Sequence, residues 1–259
     1  MYRLSPGPIP WWQRVVDRCV DLFFPPACAG CGQVGYPFCP RCAQRVEPVP
    51  RPCCTICGRP QPEPTDACPA CAAALVHPVT RIRAAALYTS PLREAIHAFK
   101  YGGRPELAQS LGRYLVVAFG EADWDTPVDL VVPVPLHRDR LAERGYNQSQ
   151  LLAQALCRWL HLPLGTDALT RVRQTRQQVG LDAAARQENV LEAFVASSAA
   201  VQGRTLLLVD DVYTTGATLK ACAAAALEAG ATRVYGLTLA MAGHGQTGSV
   251  SGYTLPPDG

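Results

Sequence analysis

Residues Leu206-Leu-Leu-Val-Asp-Asp-Val-Tyr-Thr-Thr-Gly-Ala-Thr-Leu219 place an apolar run, two adjacent carboxylates and a hydroxyl-rich turn in immediate succession. Four consecutive aliphatic residues without alternation read as a strand covered on both faces, as in a parallel sheet. The acids then fall at the carboxyl end of that strand, where open α/β sheets receive their ligands. Thr214-Thr215-Gly216-Ala217-Thr218 opens an Ala-rich helix over Thr218–Ala229, so unpaired backbone N–H groups, the positive helix end and three hydroxyls converge on one point. That point suits a phosphate. Gly216 has no Cβ and lets the main chain approach the anion closely. Asp210 and Asp211 stand one step away, where carboxylates accept hydrogen bonds from vicinal hydroxyls, and a ribose 5-phosphate matches the spacing. Helix-capping aspartates and turn threonines would account for the same residues, but would leave a buried strand ending in two unexplained charges.

Outward from this stretch the chain alternates strands and helices. Ile82–Tyr88, Asp129–Val134, Leu206–Val209 and Val234–Ala240 read as strands, and Pro91–Tyr101, Pro105–Phe119 and Asn147–Leu160 as helices. Such alternation predicts an α/β fold with a central parallel sheet and helices on its faces.

The N-terminal third differs. Ten of the twelve cysteines lie between Cys19 and Cys71. Eight of them form four knuckles: Cys28-x2-Cys31, Cys39-x2-Cys42, Cys54-x2-Cys57 and Cys68-x2-Cys71. The first and third are followed by glycine, and the second and fourth read Cys-Pro-x-Cys-Ala, so residues 28–43 and 54–72 are two copies of one unit. Two Cys-x2-Cys turns complete a tetrahedron of thiolates around zinc. A disulfide framework is the competing reading, disfavoured by the cytoplasmic placement argued below. The spacing admits pairing within each unit or an interleaved arrangement. Cys53 competes with Cys54 as a ligand, although Cys54 preserves the spacing. The region is proline-rich and poor in large apolar side chains, so its fold depends on two structural zinc ions.

The 259 residues carry a formal charge of +3, which eight zinc-bound thiolates would move to −1. Of the 24 basic residues 22 are arginine, whose planar fork suits phosphate oxygens. Residues 138–186 hold eight arginines against four acids, either a solvated helix face or a track for pyrophosphate or nucleic acid. No run approaches the ~18 uncharged apolar residues of a membrane span, and charges interrupt the N-terminus, which points to a cytoplasmic protein with no membrane insertion. Trp12–Phe23 reads as an amphipathic helix used for packing. The expected organisation is 1–76, helix and double zinc ribbon; 77–242, the α/β domain; 243–259, a disordered tail.

The strand, acid pair and Thr-Thr-Gly-x-Thr turn resemble the 5-phosphoribosyl 1-pyrophosphate (PRPP) motif of type I phosphoribosyltransferases. Val132-Pro-Val-Pro-Leu-His137, Arg140-Leu141, Arg144-Gly-Tyr-Asn-Gln148 and Phe99-Lys-Tyr-x-Gly103 narrow the likeness to the ComF family of competence proteins. So do Thr175-x-x-Gln178 and Arg186-x-x-Asn189-Val190. That family also carries a double zinc ribbon ahead of a type I phosphoribosyltransferase fold. The resemblance implies that Asp210 and Asp211, the catalytic pair, bind the ribose hydroxyls and that Thr214, Thr215, Gly216, Ala217 and Thr218 hold the 5-phosphate. It implies that Val134, Pro135 and Leu136 meet the pyrophosphate with Mg2+, and that Lys100, Arg140 and Arg144 add phosphate contacts. It also implies assistance to single-stranded DNA uptake in natural transformation, with weak direct DNA contact and a competence helicase as protein partner. Tyr101, Tyr146 and Trp159 are candidate base-stacking residues. The alternative is a salvage phosphoribosyltransferase acting on a small nucleobase-like acceptor.

Overall fold

The computed structural model describes residues 25–173 and 193–243. The expected Trp12–Phe23 helix with Cys19, the family motifs at 175–190 and the tail from 244 onward lie outside the described residues.

Each ribbon ends in a single helical turn, α1 (Pro40–Ala43) and α2 (Pro69–Ala72), with proline at the first position and an extended cysteine, Cys39 or Cys68, as the N-cap. Proline's fixed φ and missing N–H suit that position. Thereafter come β1 (Arg81–Leu87), α3 (Leu92–Tyr101), α4 (Leu107–Gly120), β2 (Leu130–Pro133), α5 (Arg138–Arg144) and α6 (Gln148–Leu160). They are followed by β3 (Leu169–Arg171), β4 (Phe194–Ala196), α7 (Ser198–Val201), β5 (Thr205–Tyr213), α8 (Ala217–Glu228) and β6 (Arg233–Met241). Among the described residues, the strands and helices read from the sequence are present, within two residues at each end save one. That exception is β5, which continues four residues past Val209, because β6 is equally long and pairs with it in parallel as far as Tyr213 and Met241. The acid pair therefore lies inside the strand and not at its end. The hairpin β3–β4 and the short helices α5 and α7 carry no clear periodicity and are additions.

The four-stranded sheet is wholly parallel in the order β1-β6-β5-β2. In β5, Leu207 and Val209 enter one core with Phe99, Leu111, Leu152 and Leu156 of α3, α4 and α6, whereas Leu206 and Leu208 enter the other with Leu219, Cys222 and Ala226 of α8. Burial on both faces is what the unbroken apolar run requires.

The two ribbons divide between these cores. Cys28, Cys39 and Cys42 belong to the first, and Cys54, Cys57, Cys68 and Cys71 to the second. The segment between the ribbons and the first knuckle of the second ribbon lie along β1, where Leu87 N donates to Glu47 O at 2.8 Å and Ile82 N donates to Ile56 O at 2.7 Å. The double ribbon thus straddles the β1 edge. At the opposite edge Val131 N donates to Pro163 O at 2.9 Å and Gly165 N to Val131 O at 2.8 Å.

Candidate functional site

In each ribbon the four sulfurs, Cys28/Cys31/Cys39/Cys42 and Cys54/Cys57/Cys68/Cys71, all lie within 4.8 Å of one another. Sulfurs Cys31–Cys39 are 3.6 Å apart and Cys57–Cys68 3.7 Å. A zinc tetrahedron with ~2.3 Å bonds has edges of about 3.8 Å, so both sets fit the metal. Pairing is within each unit, and Cys53 stands outside the second set, bridged instead to Pro60. Burial opposes ionisation of Cys28 and Cys54, but backbone N–H groups aimed at the sulfurs outweigh it. Cys28 is brought down to about 6 and Cys54 to about 7, whereas burial pushes Cys39, Cys42, Cys57 and Cys71 up, so one thiol in each set is favoured as the thiolate and ionisation of these others falls to the metal.

Toward the C-terminal end of β5, Asp210 and Asp211 are engaged by two helices packed on the same side of the sheet, α6 through Ser149 and α3 through Lys100. Asp211 is buried, and its Oδ1 lies 2.8 Å from the Lys100 ammonium in the last turn of α3. Its Oδ2 is also buried and has no hydrogen-bond partner among the described residues. Asp210 accepts from Ser149 Oγ at 2.8 Å and from the Asp211 N–H at 2.9 Å. Burial and then the neighbouring Asp211 charge push the Asp210 carboxyl up to about 7, against the pull of Lys100 and Ser149. Burial works against the Lys100 ammonium too, but Asp211 and Asp210 outweigh it and hold it charged.

Directly after the acids, Thr214 and Thr215 are exposed, and Gly216 caps α8 with φ +78. A Cβ at Gly216 would come within 2.6 Å of the Tyr213 ring, so the position excludes other residues both by conformation and by space. Thr215 Oγ1 accepts from Ala217 N at 3.3 Å, and the helix N-terminus opens toward the exposed loop.

The loop after β2 is tied to both neighbours. Val134 N donates to Val209 O at 2.9 Å, and Val134 O accepts from Asn147 Nδ2 at 3.0 Å while Asn147 Oδ1 caps α6 through Ser149 N. Pro135 and Leu136 are half-buried beyond it. Of the three candidate cations, Lys100 reaches the acid pair. Arg140 is exposed and paired with Glu143 at 3.2 Å, while Arg144 donates to Gln148 and lies 5.2 Å over the Tyr101 ring. Tyr146 is half-buried, stacked on Phe99 with its hydroxyl donating to the Phe99 carbonyl, and Tyr101 is exposed.

Two site residues escaped the sequence. Ser149 shows only as the second residue after a helix-capping Asn. Arg59 comes from the second ribbon, yet its Nη2 donates to Thr214 O at 2.7 Å and its guanidinium lies 5.5 Å over the Tyr213 ring. No helix among the described residues is long and apolar enough to cross a membrane.

A parallel sheet whose acid-bearing strand runs straight into a Thr-Thr-Gly-Ala-Thr cradle is the build of type I phosphoribosyltransferases, and this chain has that fold with a zinc-binding head in front of it. Residues 19–75 match the double zinc ribbon domain family. The chain is 36% identical over 197 residues to DNA utilization protein YhgH of Escherichia coli (strain K12), spanning 70% of this chain and 86% of that protein. It is 30% identical over 211 residues to competence protein ComFC of Bacillus subtilis (strain 168), 74% of this chain and 78% of the relative. With competence protein F of Haemophilus influenzae it shares 39% over 137 residues, 51% of this chain and 60% of that one. The chain belongs to the ComF family of competence proteins. Among solved structures, glutamine phosphoribosylpyrophosphate (PRPP) amidotransferase from B. subtilis aligns with a TM-score of 0.38 and 21% identity, over 55% of this chain and 30% of that one.

Proposed function

We propose that this protein binds PRPP with Mg2+ at the β5–α8 site and assists the uptake of single-stranded DNA in natural transformation, acting in the cytoplasm with a protein partner of the uptake machinery. The observation that carries the ligand assignment is Asp211 Oδ2: a buried carboxylate oxygen without a donor is costly, and a ribose hydroxyl is a donor of the right size one loop away from the phosphate cradle. Asp210 and Asp211 take the two ribose hydroxyls. The N–H groups and hydroxyls of residues 214–218 take the 5-phosphate, and the Val134–Leu136 loop faces the pyrophosphate. Mg2+ would neutralise the pyrophosphate charge.

The names of the relatives, DNA utilization and competence proteins, support the biological role. Exposed Arg138 and Arg140 on α5, and exposed Tyr101 beneath Arg144, support direct but weak contact with unstacked bases.

Calorimetry with PRPP, with and without Mg2+, tests the reading. Binding should need Mg2+ and fall at least tenfold in Asp211→Asn, and unchanged affinity in that variant would remove the site assignment. Pyrophosphate release with a free nucleobase would replace the uptake role by salvage transfer.

A further inference from the structure

The second ribbon touches the phosphate loop, and the first does not occupy the equivalent place. In the repeat, Gly32-Gln33 and Gly58-Arg59 are corresponding pairs, and their backbones do the same work: Cys28 N donates to Gln33 O at 2.8 Å and Cys54 N to Arg59 O at 2.9 Å. Both glycines are left-handed, with φ +77 and +71. The side chains part company. Gln33 is exposed, whereas Arg59 is half-buried between Tyr213 and the Thr214 carbonyl.

Arg59 has little freedom to be elsewhere. Gly58 is pressed against β1 so closely that a Cβ there would lie 2.6 Å from the Ile82 carbonyl oxygen, and Gly58 N is held by Cys54 O at 2.9 Å. Cys57, immediately before Gly58, and Cys54 belong to one four-sulfur set. On the loop side, Arg59 fixes the carbonyl of Thr214, and the ring it covers is the one that Gly216 packs against. A continuous path of contacts therefore runs from the metal cluster through Gly58 and Arg59 to Tyr213, Thr214 and Gly216.

We propose that Arg59 is a positioning residue by which the second zinc ribbon, and not the first, sets the conformation of the phosphate loop. This rests on the reading of residues 214–218 as a phosphate cradle. The cradle's N–H groups bind an anion only if their peptide planes are oriented toward it, and a carbonyl held by a guanidinium cannot turn to oppose the anion. Arg59 also contributes positive charge beside the loop. Its side chain borders a cavity of about 60 Å3 shared with His77 and Lys220, so truncation enlarges a space water already reaches instead of opening a void in the core.

The test compares Arg59→Ala, Arg59→Lys and the repeat-equivalent Gln33→Ala in the full chain with both zincs bound, verified by metal content. Two readouts are taken: ribose 5-phosphate affinity by calorimetry, and hydrogen exchange of the peptide spanning 212–219 without ligand. The expected result is two zincs in every variant, about tenfold weaker binding in Arg59→Ala, the scale of one charge-assisted hydrogen bond, and faster exchange of the loop amides. Arg59→Lys should recover part of both, and Gln33→Ala should match the wild type. Wild-type affinity together with wild-type loop exchange in Arg59→Ala overturns the proposal. If the wild type itself fails to bind ribose 5-phosphate, the cradle reading falls, and the exchange data alone still decide whether the ribbon holds the loop. Equal acceleration by Gln33→Ala would refute the assignment to the second ribbon.

Discussion

Lys100 Nζ lies 2.8 Å from Asp211 Oδ1, a pair with side chains 20% and 5% exposed, and it occupies only one of the two carboxylate oxygens. The protein thus balances the charge of Asp211 while leaving the buried Oδ2 without a hydrogen-bond donor among the described residues. Lys100→Met should strand the carboxylate and destabilise the fold by about 3 kcal/mol, the usual cost of removing one partner of a buried pair. Adding Asp211→Asn should restore most of that stability without restoring PRPP binding. Thermal melts with paired calorimetry check both halves.

Asp210 carries a pH signature. Its folded value of about 7 lies above the ordinary carboxylate value of about 4. The folded protein therefore holds a proton that the unfolded chain releases, and this contribution to stability, full below about pH 4, is lost as pH rises through about 7. The Tm of the ligand-free protein should fall across that window, and Asp210→Asn should flatten the slope. An identical slope in the variant would place the titration elsewhere.

Zinc removal should reach beyond the ribbons. Because the two cysteine sets belong to the cores on the two faces of the sheet, chelation under reducing conditions should lower the Tm of the main transition by roughly 10 °C, not merely remove a separate N-terminal step. Elemental analysis should give two zincs per chain. An unshifted main transition in scanning calorimetry would mean that the sheet stands without the ribbons.

Contact with DNA should be weak and steep in salt, since zinc-bound thiolates bring the formal charge near neutrality. Single strands should bind better than duplex. Tyr101→Ala should weaken single-strand binding several-fold, as loss of one stacking platform does, whereas Tyr146→Phe should not, because the Tyr146 ring already packs on Phe99. Fluorescence anisotropy at several salt concentrations distinguishes the two tyrosines.

Much of this architecture is legible in the sequence because it is local. The apolar run before Asp210, the Thr-Thr-Gly-Ala-Thr turn and the fixed Cys-x2-Cys spacing each specify their structure within a few residues. What the sequence hides is long-range. Nothing in the periodicity of Leu206–Val209 says that β5 runs on to Tyr213, which depends on the length of β6. Lys100 is one of two lysines, and its position on Asp211 follows from how α3 packs on the sheet. Arg59 is separated from Thr214 by 155 residues, and no spacing rule connects a ribbon turn to the loop after β5.

The coverage of the sheet at both ends restricts how other molecules meet this protein. Along β1 the N–H group of Leu87 is taken by the inter-ribbon segment and that of Ile82 by the second ribbon, and along β2 Val131 is taken by residues 163–165. An incoming extended peptide would have to displace these segments, so strand addition to the four-stranded sheet is opposed at those positions. A macromolecular partner that meets these margins therefore reads side chains more than backbone, and changes in its preference will be found in surface substitutions there.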